Sequence, residues 1–392
     1  MTASGGVILV LNSGSSSVKF ALIAADTGDR VWGGLADKVG TAGAVLRIGS
    51  DPAGERLPDG RRSAVIARIL DRAPPLLGAG HRVVHGGDRF SASVLIDDEV
   101  IAAIRSFAPL APLQNPADLE GIETIRAARP GLPQVAVFDT AFHQTMPPAA
   151  YRYAVPGEWY TRHGVRRYGF HGTSHRFVGE RAAALLGKRP DEVRLVTAHL
   201  GNGCSAAAIR DGVSVDTTMG LTPLEGLVMG TRSGDIDPGV FGYMAGRTGQ
   251  SAEELTDVLN KHSGLLALSG LSNDMRTVQD AAARGDERAR LALEVFAHRL
   301  AKAIAGLVTS LDRLDAVVFT GGIGENSAVV RSLVLGRLGF LGLAEDPGAN
   351  AAHGRTSGGR ISRPGPVRAL VVPTDEELMI ARDTARLISA AP

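Results

Sequence analysis

The sequence holds a single cysteine, Cys204, among 392 residues. One cysteine closes no intrachain disulfide and supplies no multi-cysteine zinc site, as expected of a protein from a reducing cytoplasm. An excess of charge of one sign is also missing. The chain carries 42 Lys and Arg against 41 Asp and Glu, a formal net charge of +1. A protein that grips nucleic acid regardless of sequence needs a strong basic field, so no nucleic-acid partner is expected. No run approaches the roughly 18 uninterrupted apolar residues of a membrane span. The opening MTASGG lacks the basic start and apolar core of a signal peptide, so no export is expected. Aromatics are scarce at 5%, whereas glycine is plentiful at 49 residues. Many glycines mean many tight turns and many places where backbone can approach a ligand. At roughly 150 residues per domain, the length suits two or three full-sized domains.

Short apolar runs alternate with helical periodicity, the pattern of an α/β protein. Strands are predicted at 7–11, 18–23, 31–36, 134–138, 195–198, 316–319 and 367–372. Gly40 to Arg62, rich in Gly, Pro and charge, reads as an irregular excursion. Helices are predicted at 63–72, 97–107, 174–186, 288–311 and 376–388. Asn115 before Pro116 reads as the cap of a further helix running to about Ala128. Ser251-Ala-Glu-Glu254 is a capping box.

The stretch from Val7 to Gly34 reads as strand, small polar loop, strand, turn, strand. The stretch from Leu195 to Thr218 repeats that order, with the loop GNGCS and the turn Arg210-Asp211-Gly212. Two hairpins can look alike by chance. The alternative is a duplicated domain with a cleft between the copies.

Three glycine-bearing loops point to phosphate. NSGSSS at 12–17 can wrap an anion with backbone N–H groups and hydroxyls, and Lys19 adds a point charge. HLGNG at 199–203 occupies the matching turn of the second copy. TGGIGEN at 320–326 lies between a strand and a helix, where backbone amides face outward. None fits the GxxxxGK[ST] P-loop, and GGIGENS is not GxGxxG, so any nucleotide is held by paired hairpins. Arg82 ends a short apolar strand, and Arg232 lies in a loop of Gly, Ser and Asp. Guanidinium groups suit the charge that phosphoryl transfer spreads over three oxygens. Asp139 follows a buried strand, where α/β folds build sites. Glu376 and Glu377 follow the last strand and suit Mg²⁺, although an acid there also suits a helix first turn. His171 and His175 stand four apart but lack a third zinc ligand. His171 reads as a hydrogen-bond donor, His175 as structural and Cys204 as a small packed residue.

Together NSGSSSVK, HRVVHGG, VFDTAFHQTMP, YGFHGTSH, HLGNGCSAAAI, GTRSGDIDPG, FTGGIGENS and PTDEELMIARDT resemble the acetate kinase family. They run in order from Asn12 to Thr384, nearly the whole chain. The resemblance implies two duplicated ribonuclease-H-like domains of the actin and Hsp70 type, with a nucleotide cleft between them. The expected boundaries are 1–145 plus 373–392, carrying substrate and phosphate-side residues, and 146–372, carrying nucleotide binding and dimerisation. It implies reversible phosphoryl transfer from ATP to acetate, giving ADP and acetyl phosphate, with Mg²⁺ or Mn²⁺, in a cytoplasmic homodimer.

The resemblance also assigns roles. Asn12 and Glu376 would hold the metal, and Lys19 the ATP phosphates. His199, Leu200, Gly201, Asn202 and Gly203 would cradle phosphate. Asp274, Met275 and Arg276, with Gly322, Ile323, Gly324, Glu325 and Asn326, would hold the nucleoside. Arg82 would bind the substrate carboxylate or the phosphoryl group. Asp139 is the family's acid/base residue, and His171 and Arg232 its transition-state stabilisers. Val84, Leu113, Phe170 and Pro223 would form the methyl pocket. The chain departs from the family at Gln114, where His is usual, and at Met275, Gly321 and Asp375, and it is short between Gly28 and Asp71. Two other readings remain: a kinase of propionate or another short acid, and a non-enzymatic nucleotide switch like those of Hsp70 and actin. A carboxylate is already nucleophilic at neutral pH, so Asp139 is expected to orient an arginine or a metal-bound water.

Overall fold

The computed structural model describes residues 6–14, 16–49, 51 and 53–390. Ser15 of the first polar loop, Ser50 and Pro52 of the Gly40–Arg62 excursion, and the two chain ends lie outside the described residues. The chain divides into two compact units: Met1–Gln144 with Asp375–Pro392, and Thr145–Thr374.

In the first unit, strands β1 (Val7–Ser13), β2 (Ser17–Ala24) and β3 (Arg30–Asp37) form an antiparallel meander. Next come β4 (Val45–Ile48), β5 (Glu55–Arg56), β6 (Leu76–Val83), β7 (Val94–Leu95) and β8 (Gln134–Phe138). The sheet order is β5-β4-β3-β2-β1-β6-β8-β7, with β1, β6 and β8 parallel. The run VILVL of β1 is apolar throughout because both faces of the sheet are covered. Val7, Leu9 and Leu11 pack with Val65, Ile66 and Ile69 of helix Arg62–Arg72 and with Ile125 of helix Asn115–Ala128. Ile8 and Val10 point the other way, against Ile380 and Ala381 of the last helix, Glu376–Ser389. The period of two along a strand makes that division.

The second unit repeats the plan. Strands β9 (Arg194–Leu200), β10 (Cys204–Arg210) and β11 (Val213–Thr217) form an antiparallel meander, and β12 (Ala316–Thr320) and β13 (Arg368–Val371) run parallel to β9. The order β11-β10-β9-β12-β13 matches β3-β2-β1-β6-β8 strand for strand. The repeat in the sequence is therefore a duplicated topology. Helix Glu287–Val308 buries Ala289, Leu293, Phe296, Leu300, Ile304 and Leu307, a stripe at helical spacing.

Two expectations need correction. The Gly40–Arg62 excursion is not wholly irregular, because β4 and β5 extend the first sheet. Only Leu46 of β4 is fully buried, with Ile48 packed beside it against the core, so glycine and charge disguised a short strand next to the sheet edge. Asn115 is not a helix cap. Gln114 holds that position without a side-chain bond. The buried Asn115 amide accepts from His85 N at 3.1 Å and donates to the carbonyls of His85 and Ile104. A tertiary partner outcompeted the local cap.

His81 lies buried in β6, with Nε2 2.7 Å from Gln134 Oε1. The Gln134 amide nitrogen donates to Ile122 O, so its oxygen accepts and His81 Nε2 carries the hydrogen. Desolvation holds the His81 pKa down to about 4, against a partial rise from Gln134. The unfolded imidazole takes up its proton near pH 6.5, before the folded one does. Stability from this group is thus present above pH 6.5 and lost as pH falls towards 4. Between those limits wild type should lose about 3 kcal/mol more than a His81→Leu variant, read by urea unfolding at several pH values. Parallel losses in the two proteins would rule this out.

Candidate active site

In the first unit, polar side chains gather at the C-terminal ends of the parallel strands β1, β6 and β8, where α/β folds collect ligand-binding groups. Asn12 on β1 stands opposite Arg82 on β6 in the parallel register, and opposite Lys19 across the β1–β2 hairpin. Asp139 follows β8 directly, and its N–H donates to Val83 O at 3.0 Å. The Arg82 fork meets the Asp139 carboxylate in parallel, Nε to Oδ1 at 3.0 Å and Nη2 to Oδ2. Nη1 donates to Asn12 Oδ1 at 3.2 Å. The Asp139 side chain is 1% exposed and that of Arg82 21%. Three of the five guanidinium N–H groups are thereby used, and two are left for an anion.

Other carboxyls crowd the same arginine. Desolvation lowers the Arg82 pKa, but Asp139 and Glu376 outweigh it and hold Arg82 above the ordinary arginine value. Asp118, buried on helix Asn115–Ala128, accepts from Val84 N at 3.2 Å, and burial pushes its carboxyl well up. Burial raises Glu376 as well, against the pull of Arg82. Lys19 Nζ pairs with Glu377 Oε1 and Arg30 with Glu377 Oε2, both at 2.7 Å. Lys19 is 54% exposed and Glu377 12%, so the ammonium end of the pair stays open to a polyphosphate.

Burial disfavours the charged form of Glu376, and a cation bound beside it would stabilise the carboxylate. Asn12 and Glu376 offer oxygen ligands of the kind Mg²⁺ takes, usually one or two from protein with phosphate and water completing the shell. Among the described residues no group of three or more His, Cys, Asp or Glu forms a metal cage.

In the second unit, His171 stands at the N-cap position of helix Gly172–Leu185, without a side-chain cap bond, in a left-handed conformation, φ +57°. For a residue with a Cβ that costs roughly 1–2 kcal/mol and persists only where the surroundings hold it. They do: the ring stacks on His199 with centroids 4.4 Å apart, and Nδ1 lies 2.9 Å from Ser205 Oγ. His199 Nδ1 meets Ser174 Oγ at 2.8 Å. The buried His175 bonds Thr197 and Ser205 through its two nitrogens, a structural role. Arg232 Nη1 donates to Pro223 O at 2.8 Å. A Cβ on Gly203 would stand 3.4 Å from the His171 ring and 3.6 Å from Arg232 Nη1, so the HLGNG turn, His171 and Arg232 share one site. Cys204 beside them is buried, its thiol pushed up to about 12 by desolvation, and it is inert packing.

A cavity of about 520 Å³ opens in the same unit, within the roughly 300–1,000 Å³ usual for small-molecule sites. Gly201, Asn202, Asp274, Met275, Arg276, Gly322, Ile323 and Asn326 line it, all singled out in the sequence. Asp274 caps helix Met275–Ala283, accepting from Arg276 N at 2.8 Å and pairing with the Arg276 guanidinium. Leu200 and Gly324 are buried and do not line the cavity. Glu325 Oε1 instead accepts from Gly321 N and Thr374 N, tying the glycine turn to the end of the unit. Asn273, Gln279 and Ser327 also line the cavity and were missed. Gln279 lies one helical turn beyond Met275, and Ser327 ends the motif FTGGIGENS, so both left a signal.

The methyl-pocket candidates divide between the units. Val84 is buried and Leu113 58% exposed in the first; Phe170 is buried and Pro223 half-buried in the second.

The comparisons with known proteins agree along the whole chain. The family model described as the acetokinase family matches residues 7–382. An acetate kinase of Deinococcus radiodurans is 55% identical over 388 residues, covering 97% of this chain and 98% of that protein. A solved propionate kinase from Francisella tularensis superposes with a TM-score of 0.91 at 46% identity, covering 96% of this chain and 98% of that one. The crystal structure of Porphyromonas gingivalis acetate kinase gives a TM-score of 0.90 at 43% identity, covering 97% and 99%. With a family model spanning nearly every residue and relatives this similar over their full length, the chain belongs to the acetokinase family.

Proposed function

We propose that this chain transfers the terminal phosphoryl group of ATP reversibly to acetate, giving acetyl phosphate and ADP. The observation that carries the reading is the Arg82–Asp139 fork at the strand ends, which holds a guanidinium rigidly with N–H groups to spare. An acetate carboxylate needs no base to attack at neutral pH. The difficulty is bringing one anion against a polyanion. Arg82 offers a bidentate grip on the carboxylate or the phosphoryl group, and His171 and Arg232 neutralise charge that grows on the transferring oxygens. Lys19 and the HLGNG turn hold the phosphates, and the cavity at Asp274–Arg276 takes the nucleoside. Asn12 and Glu376 would hold Mg²⁺, whose charge would offset that of the phosphates. The homodimer and the cytoplasmic setting typical of the family belong to the same reading.

Asp139 in this reading orients Arg82, and the guanidinium bonded to both its oxygens favours the charged carboxylate over a protonated one. Asp139→Asn should lower kcat/KM by about 10²-fold, the scale of a misplaced catalytic group, while leaving the shape of its pH profile unchanged. Loss of the acidic limb would instead identify Asp139 as a general base.

The substrate is tested by trapping acyl phosphate with hydroxylamine across acetate, propionate and butyrate. Acetate should give the highest kcat/KM, with each added methylene costing about 10–200-fold. Arg232→Ala should lower kcat by about 10²–10³-fold. A higher kcat/KM for propionate would overturn the acceptor assignment but leave phosphoryl transfer standing. ATP binding without product from any acid would favour a nucleotide switch.

A further inference from the structure

Arg232 sits in a long connection, residues 218–238, between β11 and helix Gly239–Thr248. Connections of this length without regular structure are uncommon unless something fixes them. Residues 229–233 are bonded to Asn202 and to residues 259–266, whereas residues 218–225 are held from residues 151–169 by one continuous set of bonds within the second unit. The Tyr153 hydroxyl donates to Glu225 Oε2 and accepts from Leu221 N at 3.0 Å. Glu225 Oε1 accepts from Arg167 Nη2 at 2.5 Å. Arg167 Nη1 donates to the carbonyls of Thr218, at 2.8 Å, and Met219, at 3.2 Å. The connection is thus gripped at Thr218, Met219, Leu221 and Glu225.

Both ends of this set reach groups assigned to the chemistry. Pro223, inside the gripped segment, accepts from Arg232 Nη1 at 2.8 Å. Gly220, also inside it, accepts from Tyr168 N at 3.0 Å and Gly169 N at 3.3 Å, two residues before His171. The grip leaves no slack at Gly220. A Cβ there would lie 1.7 Å from Glu225 Oε2 and 2.2 Å from the Tyr153 hydroxyl. Charge-assisted bonds to one carboxylate from both a phenol and a guanidinium are among the stronger ties available, and they are directional. Burial and the adjoining Glu225 charge raise the Tyr153 pKa, so the hydroxyl stays a donor throughout the working pH range.

We propose that Tyr153, Glu225 and Arg167 form a strap that positions Arg232 and the segment leading into His171 for phosphoryl transfer. This rests on the reading that Arg232 acts in catalysis. The three are positioning residues: in this account they touch neither substrate nor nucleotide, and act through Pro223 O and Gly220 O. No local motif records them, since Tyr153 and Arg167 lie 72 and 58 residues from Glu225.

The test is a double-mutant cycle in the full-length enzyme. Tyr153→Phe removes one oxygen and keeps the ring that lies over Arg167. It should lower kcat between ~10- and ~100-fold, the effect of a displacement near 1 Å, with KM for ATP and acetate within about twofold. Glu225→Gln should act in the same direction, which keeps the test open if either variant folds poorly. In an Arg232→Ala background the Tyr153→Phe effect should shrink to under about twofold, because the group it positions is gone. An equal loss in both backgrounds would make Tyr153 a general structural residue and overturn the strap. So would an unchanged kcat for Tyr153→Phe beside a crippled Arg232→Ala enzyme. A fully active Arg232→Ala enzyme would remove the catalytic reading of Arg232, and the strap with it.

Discussion

A guanidinium pinned by a buried carboxylate organises the first unit. An arginine side chain is long and costly to immobilise, of order 2 kcal/mol in lost rotamer freedom. Asp139 offsets that cost by fixing Nε and Nη2 together, which sets the plane of the fork as well as its position. The carboxylate is itself held, through a backbone N–H bonded to Val83 at the end of the neighbouring strand. Rigidity therefore passes from the sheet to Asp139, from Asp139 to Arg82, and from Arg82 to Asn12. The pair is worth little as a source of fold stability, since desolvation consumes much of the Coulomb gain. Its value lies in direction: the remaining N–H groups project along fixed lines.

The second unit solves the same problem on the same topology with different side chains. β9, β12 and β13 stand where β1, β6 and β8 stand in the first copy. Where β1 ends in Asn12 and faces Lys19, β9 ends in the HLGNG turn beside the His171 ring. Where β6 ends in Arg82, β12 runs into the glycine helix Gly321–Asn326 and presents backbone in place of a cation. Duplication thus supplied two sets of parallel strand ends. Divergence gave one to a fixed guanidinium and its carboxyls, and the other to close backbone approach and a nucleoside-sized cavity.

How much of this was legible follows from how local each signal is. The glycine loops, the strand-end Arg82 and Asp139, and the repeat itself are encoded within a few residues. The turn chemistry and apolar runs announced them, and eight residues singled out in the sequence line the cavity. Signals failed where a distant partner decided. Asn115 looks like a cap until His85, 30 residues away, claims its amide. β4 looks like loop because it is four residues long and only Leu46 and Ile48 face the core. Tyr153, Arg167 and Glu225 carry no motif at all, and their meaning exists only once the chain has folded.

That last set shows why a family's motifs understate what a site needs. Arg232 belongs to a conspicuous glycine-rich stretch, but the same glycines that allow its loop to wind also leave it without intrinsic stiffness. In the proposed role, a cation that acts on developing charge would lose most of its effect by wandering an ångström. The fold supplies stiffness from outside the motif, by bonding loop carbonyls to Arg167 and a loop carboxylate to Tyr153. His171 faces the same demand in a left-handed conformation. It is met by the ring stack on His199, the bond to Ser205 and the tether of the preceding residues to Gly220. The backbone around Arg232 is tied to Asn202 and to residues 259–266, and the segment from Gly220 to Glu225 adds the bond from Arg232 Nη1 to Pro223 O and the tether of the residues before His171.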